Sequence, residues 1–229
     1  ELNALFRSGP GRNEKKKEGC ISIIKQVSSY AAAVKINRNF ILDLSRAETQ
    51  AIVAEIHKYN LLAIIDNKLS DIGSTNEAAF HHAAVEGFDA ITVSPFPGNI
   101  EEATRAAHEK KLGIIILALM SNPEFAAIKS AQVNGKKLFQ FIAEQAKKSS
   151  ADGIVIGAPS DKNHITEAEL TAVKQVADLL ILVPGIGAQG GEISPVVRFF
   201  GDNVIANVGR AIITSPNPAI EAKKYNDML

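Results

Sequence analysis

Four charged side chains, Lys35, Asp66, Lys68 and Asp71, sit where short apolar runs of this chain come to an end. Residues 64–73 read Ile-Ile-Asp-Asn-Lys-Leu-Ser-Asp-Ile-Gly, which puts three charges within six residues, from Asp66 to Asp71. Asp66 and Lys68 are two apart, and on a strand that spacing turns both side chains to one side. Lys35, in Val34-Lys35-Ile36, ends the preceding run in the same way. Charges at the end of a buried strand are costly unless paired. One outcome is an ion-pair lock on the loop; the other is a reaction site that gathers charges of both signs. A lysine flanked by carboxylates keeps its proton, because the neighbouring negative charges favour the cation. Lys68 is thus a candidate proton donor, whereas a Schiff-base nucleophile needs a depressed pKa.

A second constellation suits an anion. The stretch Pro184-Gly185-Ile186-Gly187-Ala188-Gln189-Gly190-Gly191 follows one apolar run, and Val208-Gly209-Arg210 closes the next. Glycines let backbone N–H groups converge on a phosphate, and an arginine adds a two-pronged partner. The glycine-rich loop alone is a weak signal. An arginine at the end of the following run strengthens it.

Both constellations need a frame. Apolar runs at 31–37, 61–68, 90–95, 113–119, 153–157, 179–185 and 203–209 alternate with amphipathic stretches at 45–59, 76–87, 101–111, 135–149, 167–178, 195–200 and 217–229. The runs are rich in Ile, Val and Leu and have the length of buried parallel strands. Ser74 and Thr75 are suited to cap one helix, and Gly87 to end it. Strand then helix, repeated, predicts a parallel α/β fold, and an eighth unit would complete a (β/α)8 TIM barrel. In such a barrel chemistry sits at the C-terminal ends of the strands, where all the residues above fall. A further helix, 19–29, precedes the first clear strand, so another strand is expected upstream. Only Leu2, Leu5 and Phe6 offer themselves for it, so the first strand is poorly defined or missing from the chain as it stands. The basic stretch 7–17 reads as a mobile loop, and residues 1–18 as loop-like. One barrel domain over residues 1–229 is the expectation.

Composition narrows the partners. The 229 residues carry 25 basic and 25 acidic side chains, a formal net charge of zero, which gives no broad field to gather nucleic acid. No Trp and only 6% aromatics argue against a stacking platform. A single cysteine, Cys20, excludes an intrachain disulfide and a cysteine-based zinc site. His81 and His82 are neighbours on a predicted helix and point about 100° apart, a poor chelating pair. No apolar run approaches the roughly 18 residues of a spanning helix. The expectation is a soluble, cytoplasmic protein with neither membrane nor nucleic-acid partner.

The sequence Asp66-x-Lys68-x-x-Asp71-Ile72-Gly73-x-Thr75, with Val34-Lys35-Ile36 before it and the glycine-rich loop and Gly209-Arg210 after it, resembles the orotidine 5′-monophosphate decarboxylase family. The likeness spans about residues 30–229. The DxKxxD signature is shared with hexulose-phosphate synthases and ketogulonate-phosphate decarboxylases; the Ile-Gly-x-Thr continuation and the glycine-rich loop favour the orotidylate branch. The resemblance implies decarboxylation of orotidine 5′-monophosphate to uridine 5′-monophosphate in pyrimidine biosynthesis, without metal or organic cofactor. It implies that Lys68 protonates C6 of the pyrimidine, that Asp66 lies against the substrate carboxylate, and that Lys35 holds the array and the ribose. Asp71 and Thr75 would serve the site of a neighbouring subunit, making a homodimer with shared active sites, and Ile72 would bind substrate. Ser121 would contact the pyrimidine and Pro184 flank it, Gln189 would reach the phosphate from a closing lid, and Gly209 and Arg210 would hold it.

One feature departs from the family: the aspartate expected on the first strand, for a ribose hydroxyl, has no counterpart before residue 20. The alternatives are an enzyme like 3-hexulose-6-phosphate synthase and a barrel that binds a nucleotide without turning it over.

Overall fold

The computed structural model describes residues 11–187 and 190–229. The chain opens with α1 (Arg12–Val27), then runs β1 (Ala33–Asn37), α2 (Arg46–Lys58), β2 (Leu62–Leu69), α3 (Gly73–Val85), β3 (Ala90–Val93), α4 (Ile100–Glu109) and β4 (Gly113–Leu119). A short helix α5 (Phe125–Lys129) and a hairpin of β5 (Gln132–Val133) and β6 (Lys136–Lys137) lead into α6 (Leu138–Lys148). The closing elements are β7 (Gly153–Ile156), α7 (Glu167–Val176), β8 (Leu180–Pro184), α8 (Ser194–Phe200), β9 (Val204–Asn207), α9 (Arg210–Ile213) and α10 (Pro218–Asn226).

Seven of the strands form one parallel sheet in the order β1-β2-β3-β4-β7-β8-β9, curled into a nearly closed barrel. All seven were foreseeable as apolar runs, because a parallel strand is covered on both faces. Among the described residues no strand bridges β1 and β9, and α1 packs against both α2 and α10 along that seam. Leu2, Leu5 and Phe6, the candidates for an upstream strand, lie outside the described residues.

Two packed regions hold the frame. The larger lies between sheet and helices, around Ile52, Ile56, Phe80, Ile114, Phe139 and Ile181, all buried. The smaller fills the barrel itself: Ile64, Ile115, Val155 and Leu182, with Ala33, Ala90, Leu117 and Ile205 against them. Layers of branched side chains inside a barrel make a packed plug instead of a pore.

Where the helices differ from expectation, local chemistry explains it. The stretch 12–18 is helical, not loop-like, because its charges are tied down. Lys16 is buried, its ammonium donating to the Phe40 carbonyl at 2.9 Å and to the Asp43 carboxylate. Arg12 reaches Asp43 at 3.5 Å, Asn13 donates to the Asp43 carbonyl, and Lys17 pairs with Glu14. Helix α3 begins at Gly73, three residues before the predicted 76, so Ser74 and Thr75 lie inside its first turn instead of capping it. Gly73 has φ 51°, which only glycine adopts at little cost, and turns the chain straight into the helix. The predicted helix 135–149 starts only at Leu138. Asn134 and Gly135, at φ 52° and 77°, instead make the tight turn joining β5 to β6, the dipeptide such turns prefer. Two other helices start on capping boxes, Ser45 with Glu48 on α2 and Thr166 with Glu169 on α7.

Candidate active site

The barrel plug fixes where polar side chains must go. Side chains two apart on a strand share a face. Two residues beyond plug positions Ala33, Ile64, Ala90, Leu182 and Ile205 stand Lys35, Asp66, Thr92, Pro184 and Asn207, and all five line one cavity at the C-terminal mouth. The cavity holds about 560 Å³, enough for a nucleotide-sized ligand. Its rim comes from the loops after β4, β8 and β9, including Ser121, Gly185, Gly209 and Arg210.

The charge array is built on β1 and β2. Asp66 is 7% exposed and accepts from both lysines: Lys35 Nζ is 2.5 Å from Oδ2 and Lys68 Nζ 2.6 Å from Oδ1. β1 and β2 pair in register, with Lys35 opposite Ile64 and Asn37 opposite Asp66, so the two charges rise from adjacent strands. Burial alone would push the Asp66 carboxyl up. The charge and hydrogen bond of Lys35, then those of Lys68, outweigh it and hold the carboxyl below the usual carboxylate range. Asp66 is thereby an anion fixed between two ammonium groups.

Lys68 reaches Asp66 by an irregular route. The pairing of β2 with β3 slips between Ile65 and Leu69, and Lys68 takes φ 48°. For a non-glycine residue that conformation costs about 1–2 kcal/mol. It raises the Lys68 side chain to 43% exposure beside the cavity, while Lys35 stays largely covered at 14%.

The opposite side of the cavity suits an anion. The described glycines after β8 lie close together, with Gly191 N–H donating to the Gly185 carbonyl at 3.0 Å and Gly190 N–H to that of Gly187 at 2.7 Å. A Cβ on Gly191 would stand 2.5 Å from the Gly185 oxygen, so only glycine allows this approach. Gly209 precedes the turn of α9 that carries Arg210, an exposed guanidinium at the cavity rim. Gln189, expected over the phosphate, lies outside the described residues.

The structure therefore gathers Lys35, Asp66, Lys68, Ser121, Pro184, Gly209 and Arg210 around one space. Asp71, Ile72 and Thr75 are not among its lining residues. All three are exposed, with Ile72 at 60%, beyond the end of β2. The Asp71 carboxylate accepts from Ile72 N–H at 2.8 Å, and its carbonyl accepts from the Asn76 and Asn99 side chains at 2.6 and 3.2 Å. Sequence reading missed Thr92, Asn122 and Asn207, which also line the cavity. Thr92 and Asn207 follow plug positions by two residues, a signal present in the sequence but indistinct in strands this short. Asn122 neighbours Ser121 in a loop and had no such signal. His82 rests its ring against Arg46 instead of joining a ligand cluster, and among the described residues no group of His, Cys, Asp and Glu is arranged to hold a metal ion.

A family model described as "Orotidine 5'-phosphate decarboxylase / HUMPS family" matches residues 13–225. The orotidine 5'-phosphate decarboxylase of Methanocaldococcus jannaschii is 34% identical over 218 residues, which cover 93% of each chain. That of Dechloromonas aromatica is also 34% identical, over 89% of this chain and 77% of its own. Among solved structures, the M. jannaschii enzyme complexed with the inhibitor BMP superposes with a TM-score of 0.76 at 29% identity and 93% coverage of both chains. UMP synthase of Leishmania donovani gives 0.82 at 25% identity, over 97% of this chain and 51% of that larger one.

Proposed function

The chain belongs to the orotidine 5'-phosphate decarboxylase / HUMPS family, and from that premise we propose that it decarboxylates orotidine 5′-monophosphate to uridine 5′-monophosphate, a step of pyrimidine biosynthesis. The observation that carries this reading is the Lys35–Asp66–Lys68 array at one side of a cavity whose other side offers Arg210 and a glycine-rich loop. Phosphate binds at the arginine side and the pyrimidine lies over the lysines. As the bond from C6 to the carboxylate breaks, its electron pair stays on C6 and carbon dioxide departs. The Lys68 ammonium stabilises that developing charge, gives C6 a proton, and regains one from solvent. Such an interaction strengthens toward the transition state, which is the requirement for rate acceleration. Asp66 holds both ammonium groups in place through charge already buried before substrate arrives.

Asp71 and Thr75 complete the site of a second copy of this chain. Their exposed position outside their own chain's cavity supports this homodimer, as does the fixed Asp71 carbonyl. A small-molecule substrate fits the absence of broad charge. No helix among the described residues is long and apolar enough to cross a membrane, and we assign the protein to the cytoplasm. The deciding experiment follows the absorbance of orotidine 5′-monophosphate on adding the protein. Turnover is expected, and Lys68→Ala should abolish it while nucleotide binding persists. Binding without turnover by the unaltered chain would reverse the conclusion, as would chelator-sensitive activity on a hexulose phosphate alone.

A further inference from the structure

Thr92 stands opposite the irregularity that places Lys68. On either side of it the ladder is regular: Ile65 pairs with Ile91, and Leu69 with Val93. Between these pairs β2 has three residues, Asp66, Asn67 and Lys68, and β3 has only Thr92. A parallel ladder cannot satisfy three residues with one backbone partner, so Lys68 N–H needs another acceptor. It finds the Thr92 hydroxyl at 3.0 Å. That hydroxyl is in turn 3.0 Å from Asp66 Oδ1, the oxygen that also receives Lys68 Nζ.

A hydroxyl has one proton to give. With Lys68 N–H on its acceptor side, the Thr92 proton goes to the Asp66 carboxylate, which has only acceptors to offer. Thr92 is 1% exposed, so no solvent competes for either bond. We propose that Thr92 is a positioning residue for proton transfer: its hydroxyl stands in for the missing ladder partner, holds Lys68 in its left-handed backbone conformation, and locks the rotation of the Asp66 carboxylate. One side chain thus sets both ends of the Lys68–Asp66 contact, the backbone from which the ammonium extends and the oxygen it rests against. The ammonium is held where C6 must pass, and misplacement there acts on the chemical step, not on binding.

This inference rests on the decarboxylase reading, so two measurements are paired. Thr92→Val keeps the shape of the side chain and removes the hydroxyl; Thr92→Ser keeps the hydroxyl. Thr92→Val should lower kcat for orotidine 5′-monophosphate at least about tenfold, the worth of one hydrogen bond to a charged group, with KM little changed. Thr92→Ser should stay within about twofold of the native rate. A native kcat in Thr92→Val, or an equal loss in Thr92→Ser, overturns the proposal, and the serine variant keeps the test decisive should the valine variant not fold. The second measurement needs no activity: carbon NMR titration of the Asp66 carboxyl in the full chain. Its midpoint should rise in Thr92→Val and not in Thr92→Ser, and an unmoved midpoint in the valine variant also overturns the proposal. Failure of the unaltered chain to turn over the nucleotide, with the Asp66 midpoint still rising in Thr92→Val and not in Thr92→Ser, would sink the decarboxylase reading and leave the role of Thr92 in ordering Asp66 intact.

Discussion

Gly157 leaves the space that Ser121 occupies. A Cβ built on Gly157 would lie 2.5 Å from the Ser121 Cβ and 2.9 Å from its backbone nitrogen. Gly157, just beyond β7, donates its N–H to the Leu119 carbonyl at 2.8 Å, so neither partner can withdraw easily. Gly157→Ala should therefore push the Ser121 loop off its position at the cavity. The expected outcome is a loss of about 1–3 kcal/mol in stability from overpacking, and a drop of ten- to roughly a hundredfold in kcat/KM. Chemical denaturation and steady-state kinetics measure both; a native kcat/KM would show that Ser121 does not touch the substrate.

Arg210→Ala should weaken binding of uridine 5′-monophosphate about ten- to a hundredfold, the range of a charge-assisted contact. Isothermal titration with the nucleotide and with uridine separates the causes. The phosphate-free nucleoside should bind both proteins alike, and an equal loss for it would remove Arg210 from the phosphate site.

If Asp71 serves the neighbouring copy, two inactive variants should complement each other. Asp71→Asn and Lys68→Ala, each inactive alone, should regain roughly a quarter of native activity when unfolded together and refolded at equal amounts, since each hybrid dimer holds one intact site. A mixture as inactive as its parts would place Asp71 in its own chain's site or in none.

Acid stability should depend on Glu169. Burial would raise this carboxyl, but hydrogen bonds from Lys129 and from the Thr166 hydroxyl and backbone bring it down from 4.5 to about 2. Lys129 Nζ is 2.8 Å from Glu169 Oε1 and also donates to the His164 carbonyl, so it joins α5 to α7. A lowered folded pKa gives stability that is complete above the unfolded value and is lost as pH falls from about 4.5 toward 2. Glu169→Gln should flatten that part of the stability curve, on the order of 3 kcal/mol across the window. Parallel melting curves for the two proteins between those pH values would contradict the assignment.

The strands were legible because Ile, Val and Leu cover both their faces, and Lys35, Asp66 and Lys68 were legible as charges at the ends of such runs. Other features needed three dimensions. The basic stretch 12–17 reads as loop only while Asp43, far along the chain, is out of view. Asn134-Gly135 is a turn signal in its own right, but the amphipathic run behind it drew the helix forward. Thr92 is an ordinary strand residue by type, and its importance arises from the three-against-one mismatch of β2 with β3, which no single strand records. Asp71 reads as part of the charge cluster by spacing, yet the end of β2 carries it out of the cavity that Asp66 and Lys68 share.

The apolar plug of Ile64, Ile115, Val155 and Leu182 closes the cavity from below, so that among the described residues it opens at the C-terminal rim. On the decarboxylase reading proposed above, substrate would enter and both products would leave by that rim, beside Arg210. Carbon dioxide, with no charge for Arg210 to hold, would then slip out past the nucleotide or wait for it. On that reading, order of release would be a matter of traffic at the rim, set by the floor beneath the chemistry as much as by the groups that perform it.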